Sequence, residues 1–120
     1  ARGGERLVEA YSGMLVVKRG EEGSEVPRLG VRAPAFRVEV VDTTGAGDAF
    51  DAAFLLCWKL GLPIRDCLVV ANAAGALKVA RVGAQESPTL GELLSFLSRG
   101  GFADVAERLA QRHKANNLAR

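Results

Sequence analysis

A glycine-containing segment in the middle of the chain, residues 42–48 with the sequence DTTGAGD, separates two stretches of different hydrophobic periodicity. Before it, residues 37–41 alternate polar and apolar side chains, which predicts a β-strand. After it, nearly every residue in 46–60 is apolar or small, which predicts a helix buried on most sides. A strand, a glycine turn and a helix N-terminus in this order are typical of proteins that layer helices on a sheet.

The first third of the chain predicts short strands. Residues 14–18 form a compact apolar run with β-branched side chains, and they predict a buried strand. Residues 20–23 predict a turn, because two glycines flank charged residues. The segment 24–36 contains two prolines and a glycine, so it predicts short edge strands or a hairpin. Residues 5–11 predict a short helix or the end of one.

Three more helices are predicted in the second half of the chain. The first covers 64–82 and is rich in alanine, which allows close approach to a neighbouring helix. The second covers 89–98, with Thr89 as N-cap and Glu92 three residues later at capping-box spacing. The third covers roughly 102–116. Strands followed by helices predict an α/β fold, in which this chain supplies one side of a layered sandwich whose other strands lie outside it.

Composition and charge argue against several classes of protein. With 48% apolar and 25% charged residues, the chain has the composition of a globular protein. The net charge of +2 comes from scattered Lys and Arg, so no basic patch for nucleic acid is predicted. No apolar run is long enough to span a membrane and no signal peptide is evident, which favours a cytoplasmic protein without a membrane partner. The chain begins without Met, as a fragment or a wrongly started sequence would.

The cysteines and the histidine predict no metal centre. Cys57 and Cys67 lie in apolar, helical stretches and form no CxxC pair, so both are predicted to be buried thiols. The single histidine, His113, lies in a polar stretch near the C-terminus and has no second histidine to pair with.

The glycine segment predicts an anion site. The first N–H groups of a helix lack acceptors and carry the positive end of the helix dipole. Gly45 and Gly47 place no side chain in front of those groups, and phosphate is the usual occupant of such a site. Asp48 has two interpretations, which stay open on spacing alone: an acid that stabilises the helix N-terminus, or a general base beside a transferring phosphoryl group.

Two other phosphate-binding motifs do not fit this segment. A Walker A loop has Lys followed by Ser or Thr after its last glycine, whereas here Asp48 and Ala49 follow. A dinucleotide fingerprint would have glycine at the position of Phe50, and the carboxylate of Asp48 would repel a pyrophosphate.

The string DTTGAGDAFDAAFL, residues 42–55, resembles the C-terminal signature of the ribokinase-like, or PfkB, carbohydrate kinases. KRGEEG at 18–23 and ANAAGALKVARVGAQ at 71–85 resemble the same family, so the similarity covers roughly residues 14–98. It implies part of a ribokinase-like three-layer α/β/α sandwich, without the N-terminal sugar-binding half and the lid. It also implies ATP- and Mg²⁺-dependent phosphorylation of a hydroxyl on a sugar or sugar-like molecule, by a full-length protein that dimerises through the lid.

The resemblance also implies roles for individual residues. Asp48 matches the catalytic base that contacts the substrate hydroxyl, and the anion hole matches Gly45, Ala46 and Gly47. Asn72 falls on the adenine side of the nucleotide, where Ala73 and Ala76 would leave room. The remaining nucleotide contacts match Gly47, Asp48 and the residues of the 18–23 block: Lys18, Arg19, Gly20, Glu21, Glu22 and Gly23. In members with a K⁺ or other monovalent-cation site, its oxygens come from positions equivalent to Asp42, Thr44, Lys78, Arg81, Gly83 and Ser87, and whether this chain keeps that site stays open.

Several alternatives remain at this point. Asn72 could bridge neighbouring elements, and Gly20 with Gly23 could form an ordinary hairpin turn. Asp51, where many members carry Gly or Asn, could face the substrate or be an exposed acid. The family's N-terminal glycine pair and its Asn-x-x-Glu motif are absent from this sequence. A truncated nucleotide-binding remnant without catalysis, or a nucleoside or vitamin-precursor kinase, are therefore the other functional readings.

Overall fold

The computed structural model describes residues 6–11, 14–80 and 88–118, with side chains from residue 15 onward. Within these ranges a sheet comes first and four helices follow, in the order that the sequence predicts. The strands and helices are β1 (Arg6–Tyr11), β2 (Met14–Lys18), β3 (Ser24–Val26), β4 (Val31–Ala33), α1 (Ala46–Lys59), α2 (Ile64–Val79), α3 (Leu90–Arg99) and α4 (Ala103–Leu118).

The strands form an antiparallel sheet in chain order, β1-β2-β3-β4. Lys18 of β2 pairs with both Arg6 and Ser24, and Val26 pairs with Val31 across the β3–β4 hairpin. The strand at 14–18 and the hairpin within 24–36 are thereby confirmed. The predicted helix at 5–11 is wrong, because this segment forms β1, whose backbone groups pair with β2 instead of with each other.

The turn between β2 and β3 requires glycine at one position. Residues Gly20–Glu22 form a single 3₁₀ turn, and Gly23 follows with φ of 95°. A Cβ at Gly23 would lie 2.0 Å from the carbonyl oxygen of Ala33, far inside van der Waals contact. The predicted turn is confirmed, and its second glycine is required both by its backbone angle and by the strand packed against it.

Helix α2 lies at the centre of the packing and contacts the other three helices together with β3 and β4. It is buried on most sides, whereas α1 buries one face and leaves Leu56 38% exposed, so the burial predicted for α1 belongs to α2. The two helices approach closely, since a Cβ at Gly75 would lie 3.6 Å from the carbonyl oxygen of Ala46. The alanine-rich packing prediction is confirmed.

Helix α2 ends at Val79, three residues earlier than predicted, and this last residue contacts the segment before the glycine turn. The carbonyl oxygen of Val79 accepts hydrogen bonds from the N–H groups of Val41 (2.7 Å) and Asp42 (3.0 Å). A carbonyl in the last turn of a helix has no N–H donor within the helix, so these two amides provide the hydrogen bonds that it lacks. The chain before the glycine segment is thereby attached to the end of α2.

The predicted strand at 37–41 is wrong. Residues 34–40 have no regular secondary structure, and Val40 and Val41 are 60% and 47% exposed. An alternating pattern becomes a strand only when a neighbouring strand accepts its backbone hydrogen bonds. Here the N–H groups of Val41 and Asp42 donate to the carbonyl oxygen of Val79 at the end of α2 instead.

Helices α3 and α4 begin and attach as local chemistry dictates. Thr89 Oγ1 accepts from the N–H of Glu92 (3.2 Å) and Glu92 Oε1 from the N–H of Thr89 (2.8 Å), which confirms the capping box. Arg108 of α4 donates two hydrogen bonds, of 2.6 and 3.1 Å, to the buried carboxylate of Asp66 in α2. This bidentate pair ties the last helix to the central one.

Both cysteines are buried free thiols, as predicted. Burial is the largest cause of the raised pKa of both thiols, and it brings the pKa of Cys67 to about 12. Neither cysteine is therefore a reactive thiolate at neutral pH. In the described ranges, no helix combines the length and apolar character needed to cross a membrane.

Candidate functional site

The glycine segment folds into a compact turn before α1. Asp42 Oδ1 accepts a hydrogen bond of 2.9 Å from the N–H of Thr44, and the carbonyl oxygen of Thr43 accepts one of 3.2 Å from Ala46. The backbone bond from Thr44 is the largest cause that lowers the pKa of Asp42, followed by a bond from the Thr44 side chain and the positive charge of Lys78. Asp42 is therefore an ionised anchor of the turn.

Gly45 is the N-cap of α1 and has a left-handed backbone, with φ of 79°. Among the described residues, no side-chain hydrogen bond caps this helix end. The N–H groups of Gly47 and Asp48 lie in the first turn, where a helix has no acceptors of its own, and the positive end of the dipole points outward there. This geometry provides backbone donors without a competing protein acceptor on a side chain, as an anion-binding helix N-terminus requires.

A cavity of about 880 Å³ opens at this helix end. Its wall is built from the end of β2 and the turn after it, the segment before α1, the first residues of α1, and one face of α2. The lining residues are Lys18, Gly20, Glu21, Gly23, Ala35, Phe36, Arg37, Val38, Val40, Thr43, Ala46, Gly47, Phe50, Asn72, Gly75, Ala76 and Val79.

Seven of the predicted site residues therefore meet at one cavity: Lys18, Gly20, Glu21, Gly23, Ala46, Gly47 and Asn72. Among the described residues, Arg19, Glu22, Gly45 and Asp48 were predicted for the site but do not line it. Ala76 lines the cavity as expected, while Ala73 is fully buried behind the wall. The structure thus joins three blocks that are distant in the sequence.

Lys18 brings a positive charge to the start of α1. Its Nζ lies 4.4 Å from the centre of the Phe50 ring and 3.9 Å from Asp51 Oδ1. A Cβ at Gly47 would lie 3.5 Å from the same nitrogen, so the ammonium lies close to the backbone of Gly47. An ammonium over a helix N-terminus strengthens the attraction for anions. Asp51 is 31% exposed beside Lys18, so it is neither fully exposed nor placed in the cavity wall.

Arg19 points to the sheet. Its Nη2 donates to Glu25 Oε2 (3.1 Å), while Arg32 donates two hydrogen bonds to Glu25 Oε1. These bonds, the one from Arg19 first, lower the pKa of Glu25. The nucleotide contacts predicted for Arg19 and Glu22 stay predictions, and this geometry gives Arg19 a role in holding the hairpin.

The side chain of Asn72 connects α2 to the sheet. Its Oδ1 accepts from Ser24 Oγ (3.0 Å), and its Nδ2 donates to the carbonyl oxygens of Ala33 (3.3 Å) and Pro34 (2.9 Å). Both amide hydrogens can be used by these two carbonyls. Asn72 therefore bridges neighbouring elements, as one of its two interpretations predicted. It also lines the cavity, and its contact with adenine stays a prediction.

Asp48 is exposed in the first turn of α1, outside the cavity wall. Of the positions expected for a monovalent cation, Asp42, Thr44 and Lys78 lie around the glycine turn, whereas Arg81, Gly83 and Ser87 lie outside the described residues. In the part of the chain that the structure describes, no group of three or more His, Cys, Asp or Glu could hold a metal ion.

Sequence reasoning missed much of the apolar wall. Phe50 lies within the recognised signature, residues 42–55, so its place beside Lys18 had a signal in its position. Residues 35–38 had none, because 24–36 predicted edge strands or a hairpin and 37–41 predicted a strand, and their place in the cavity wall depends on the chain path. The small residues of 64–82 were interpreted through helix packing, and Gly75 among them both faces α1 and lines the cavity.

Comparison with known proteins identifies the same region. The family model for "pfkB family carbohydrate kinase" matches residues 4–90. Over 87 residues the chain is 42% identical to the ATP-dependent ribose-1-phosphate kinase of Halopiger xanaduensis, covering 71% of this chain and 29% of that protein. It is 41% identical to the ribokinase of Bacillus subtilis, covering 73% of this chain and 31% of that one. The chain thus spans about three tenths of the length of the curated relatives it matches.

A solved structure supports the fold. An E. coli protein assigned as a ribokinase II, crystallised in complex with ATP and Mg²⁺, superposes with a TM-score of 0.63 and 39% sequence identity. The match covers 70% of this chain and 28% of that protein. The partial ribokinase-like α/β fold predicted from the sequence is confirmed.

Proposed function

The chain belongs to the pfkB family of carbohydrate kinases, and from this premise we propose that it forms the nucleotide-facing and catalytic portion of an ATP-dependent sugar kinase. The single observation that carries the proposal is the cavity at the N-terminus of α1, where the glycine turn, Lys18 and the 20–23 turn meet. Because the chain spans about three tenths of its relatives, the activity is proposed for the complete gene product.

The size and the lining of the cavity suit a nucleoside triphosphate. Its volume of about 880 Å³ lies within the range of small-molecule sites. Backbone donors of α1 and the ammonium of Lys18 lie at one end, and apolar side chains including Phe36, Val38 and Val79 form another part of the wall. The ATP and Mg²⁺ in the E. coli neighbour support the same ligands for this chain.

Gly47, Ala46 and Lys18 would hold the phosphates. Bound ATP would supply the transferable phosphoryl group, and Mg²⁺ would neutralise charge on the phosphate oxygens. Mg²⁺ at such sites is usually held by the phosphates, waters and only one or two protein carboxylates. The N–H groups at the start of α1 already point outward, so they stabilise negative charge on the phosphate without reorganising. Gly47 lines the cavity without a side chain, which lets an anion approach those groups.

Asp48 would accept the proton of the sugar hydroxyl. It is exposed in the same helical turn as the anion-binding amides, so an acceptor lying outside the cavity could reach both Asp48 and the phosphate. The sugar-binding half of the protein would bring that acceptor. The two relatives are named for different acceptors, ribose 1-phosphate and ribose, so the acceptor is proposed only as a sugar or a sugar-like alcohol.

The test uses the complete gene product in a coupled assay of ATP consumption with a panel of sugars, nucleosides and vitamin precursors. Asp48→Asn should lower kcat by about 10² to 10⁴-fold, the range for loss of a general base, while ATP affinity changes little. Asp104→Asn is the matched control, because Asp104 is also an exposed acid in the first turn of a helix. It should leave turnover unchanged.

Each outcome separates the interpretations of Asp48. Retained turnover in Asp48→Asn would refute the assignment of Asp48 as base and leave only helix stabilisation. A wild-type protein that binds ATP but consumes none with any acceptor in the panel would instead support a nucleotide-binding remnant.

A further inference from the structure

Lys78 is a buried lysine beneath the glycine turn. It lies in the last turn of α2 and is 7% exposed. A Cβ at Gly45 would lie 2.8 Å from Lys78 Cε and 3.6 Å from its Nζ, so the lysine side chain reaches into the space that a side chain at 45 would occupy. Lysine is rarely buried to this degree, because removing an ammonium from water is costly without compensating charge or dipoles.

The surroundings of Lys78 provide that compensation. The last turn of a helix carries the negative end of its dipole, which favours a cation there. The carboxylate of Asp42 lies close enough for the Lys78 charge to act on it, although the hydrogen bonds from Thr44 have the larger effect on the pKa of Asp42. Lys78 is therefore oriented toward the turn that precedes α1.

The neighbouring residue holds the same turn from a second side. The carbonyl oxygen of Val79 accepts from the N–H groups of Val41 and Asp42, while Lys78 approaches Gly45 and the Asp42 carboxylate. Lys78 is not part of the cavity wall, whereas Thr43, Ala46 and Gly47 of the turn are. An effect of Lys78 on a bound anion would thus be transmitted by the position of the turn.

We propose that the ammonium of Lys78 is a built-in cation that holds the 42–47 turn in its anion-binding conformation, so that the kinase turns over without a bound monovalent metal ion. This rests on the proposed function. Lys78 is a positioning residue: its ammonium approaches the turn that contains Asp42 and Thr44, two of the positions from which the family resemblance takes oxygens for a monovalent cation. The backbone position could still serve as a ligand, but the side chain already supplies the charge.

The experiment compares the complete gene product with Lys78→Met, which removes the charge and keeps a long side chain, and Lys78→Arg, which keeps the charge. Lys59→Met, in the exposed last turn of α1, is the control for loss of a lysine. Turnover is measured in buffers whose monovalent cation is either K⁺ or tetramethylammonium. Melting temperatures are measured in the same two buffers, as a readout that does not need a substrate.

Wild type and Lys59→Met should have equal kcat in both buffers and no K⁺-specific rise in melting temperature. Lys78→Met should lose about 10 to 10²-fold in kcat in tetramethylammonium, the order of effect caused by misplacement of a binding turn, with a smaller change in the KM for ATP. K⁺ should restore part of that loss and raise the melting temperature of this variant. Lys78→Arg should retain most of the activity.

Three results would overturn the proposal. The first is a wild-type enzyme that needs K⁺, and the second is a Lys78→Met variant as active as wild type without K⁺. The third is equal loss in Lys78→Met and Lys78→Arg that K⁺ does not restore, since this would make shape and not charge the contribution of Lys78. If the wild type transfers phosphate to no acceptor, the proposed function fails, and the melting comparison still decides the role of Lys78.

Discussion

The helical part of the chain and the segment that leads into the cavity are stabilised in different ways. The helices share a core in which Phe54, Leu68, Leu97 and Leu109 are fully buried. In residues 34–43 the side chains of Val40 and Val41 are largely exposed, and the backbone is attached to the end of α2 through Val79. The first region buries large apolar side chains in a shared core, whereas the second presents apolar side chains that the described residues leave exposed.

The difference teaches where the site gets its precision. The amides proposed to bind an anion belong to α1, whose buried face packs into the core. Lys18 attaches the sheet to α1, and Asn72 attaches it to α2. The segment 34–43 also forms part of the cavity wall; Phe36 packs against Phe96 and Phe102, whereas Val40 and Val41 are left exposed. We therefore expect substitutions in the core to act on stability, and substitutions in the segment to act on association and ligand binding.

The largest expected effect is in the helical core. Phe54→Ala in the complete gene product should lower the free energy of unfolding by about 3–5 kcal/mol, because a fully buried aromatic side chain is replaced by a cavity. Urea denaturation followed by circular dichroism measures this change. Val40→Ala is the control from the other region and should cost far less, since Val40 is 60% exposed. Equal losses in the two variants would contradict the comparison.

An intermediate effect is expected where the two regions meet. Asn72→Ala removes the hydrogen bonds from α2 to Ser24 and Ala33 of the sheet and to Pro34 beyond it. Because two carbonyls lose this donor, the free energy of unfolding should fall by about 1–3 kcal/mol. Urea denaturation gives the loss of stability, and the KM for ATP under native conditions gives any nucleotide contact. A higher KM without loss of stability would favour a direct contact over bridging.

The smallest effect on stability is expected in the segment itself. The double substitution Val40→Ser with Val41→Ser should change the free energy of unfolding by about 0.5 kcal/mol or less, as is usual for exposed sites. We expect the 120-residue chain expressed by itself to associate, because these apolar side chains and the incomplete sheet lack a partner within it. Light scattering should show less association in the double variant.

Leu118→Ser is the control for that experiment, since Leu118 is 76% exposed but lies in α4, away from the cavity. An equal decrease in association for Leu118→Ser would show that exposed apolar area in general is responsible. A wild-type chain that is monomeric and melts cooperatively would contradict the expected dependence on a missing partner region.

The sequence predicted those parts of the fold that depend on neighbouring residues. Helix α3 with its capping box, the hairpin after Gly23, and the glycine turn before α1 all follow from residues a few positions apart. The errors occurred where the partner is distant. Residues 6–11 became a strand because β2 lies beside them, whereas 37–41 has no regular structure and its last amide, that of Val41, meets the end of α2.

The glycine turn and the acid after it were determined by the sequence alone, because a left-handed residue, unobstructed amides and a first-turn carboxylate are properties of adjacent positions. Only the tertiary structure decided what surrounds them. It placed Lys18 over Gly47, used the hydrogen bonds of Asn72 to join α2 to the sheet, and turned Lys78 inward beneath Gly45. Each of these contacts spans more than twenty residues of chain, and such contacts depend on how complete elements pack, which local periodicity does not encode.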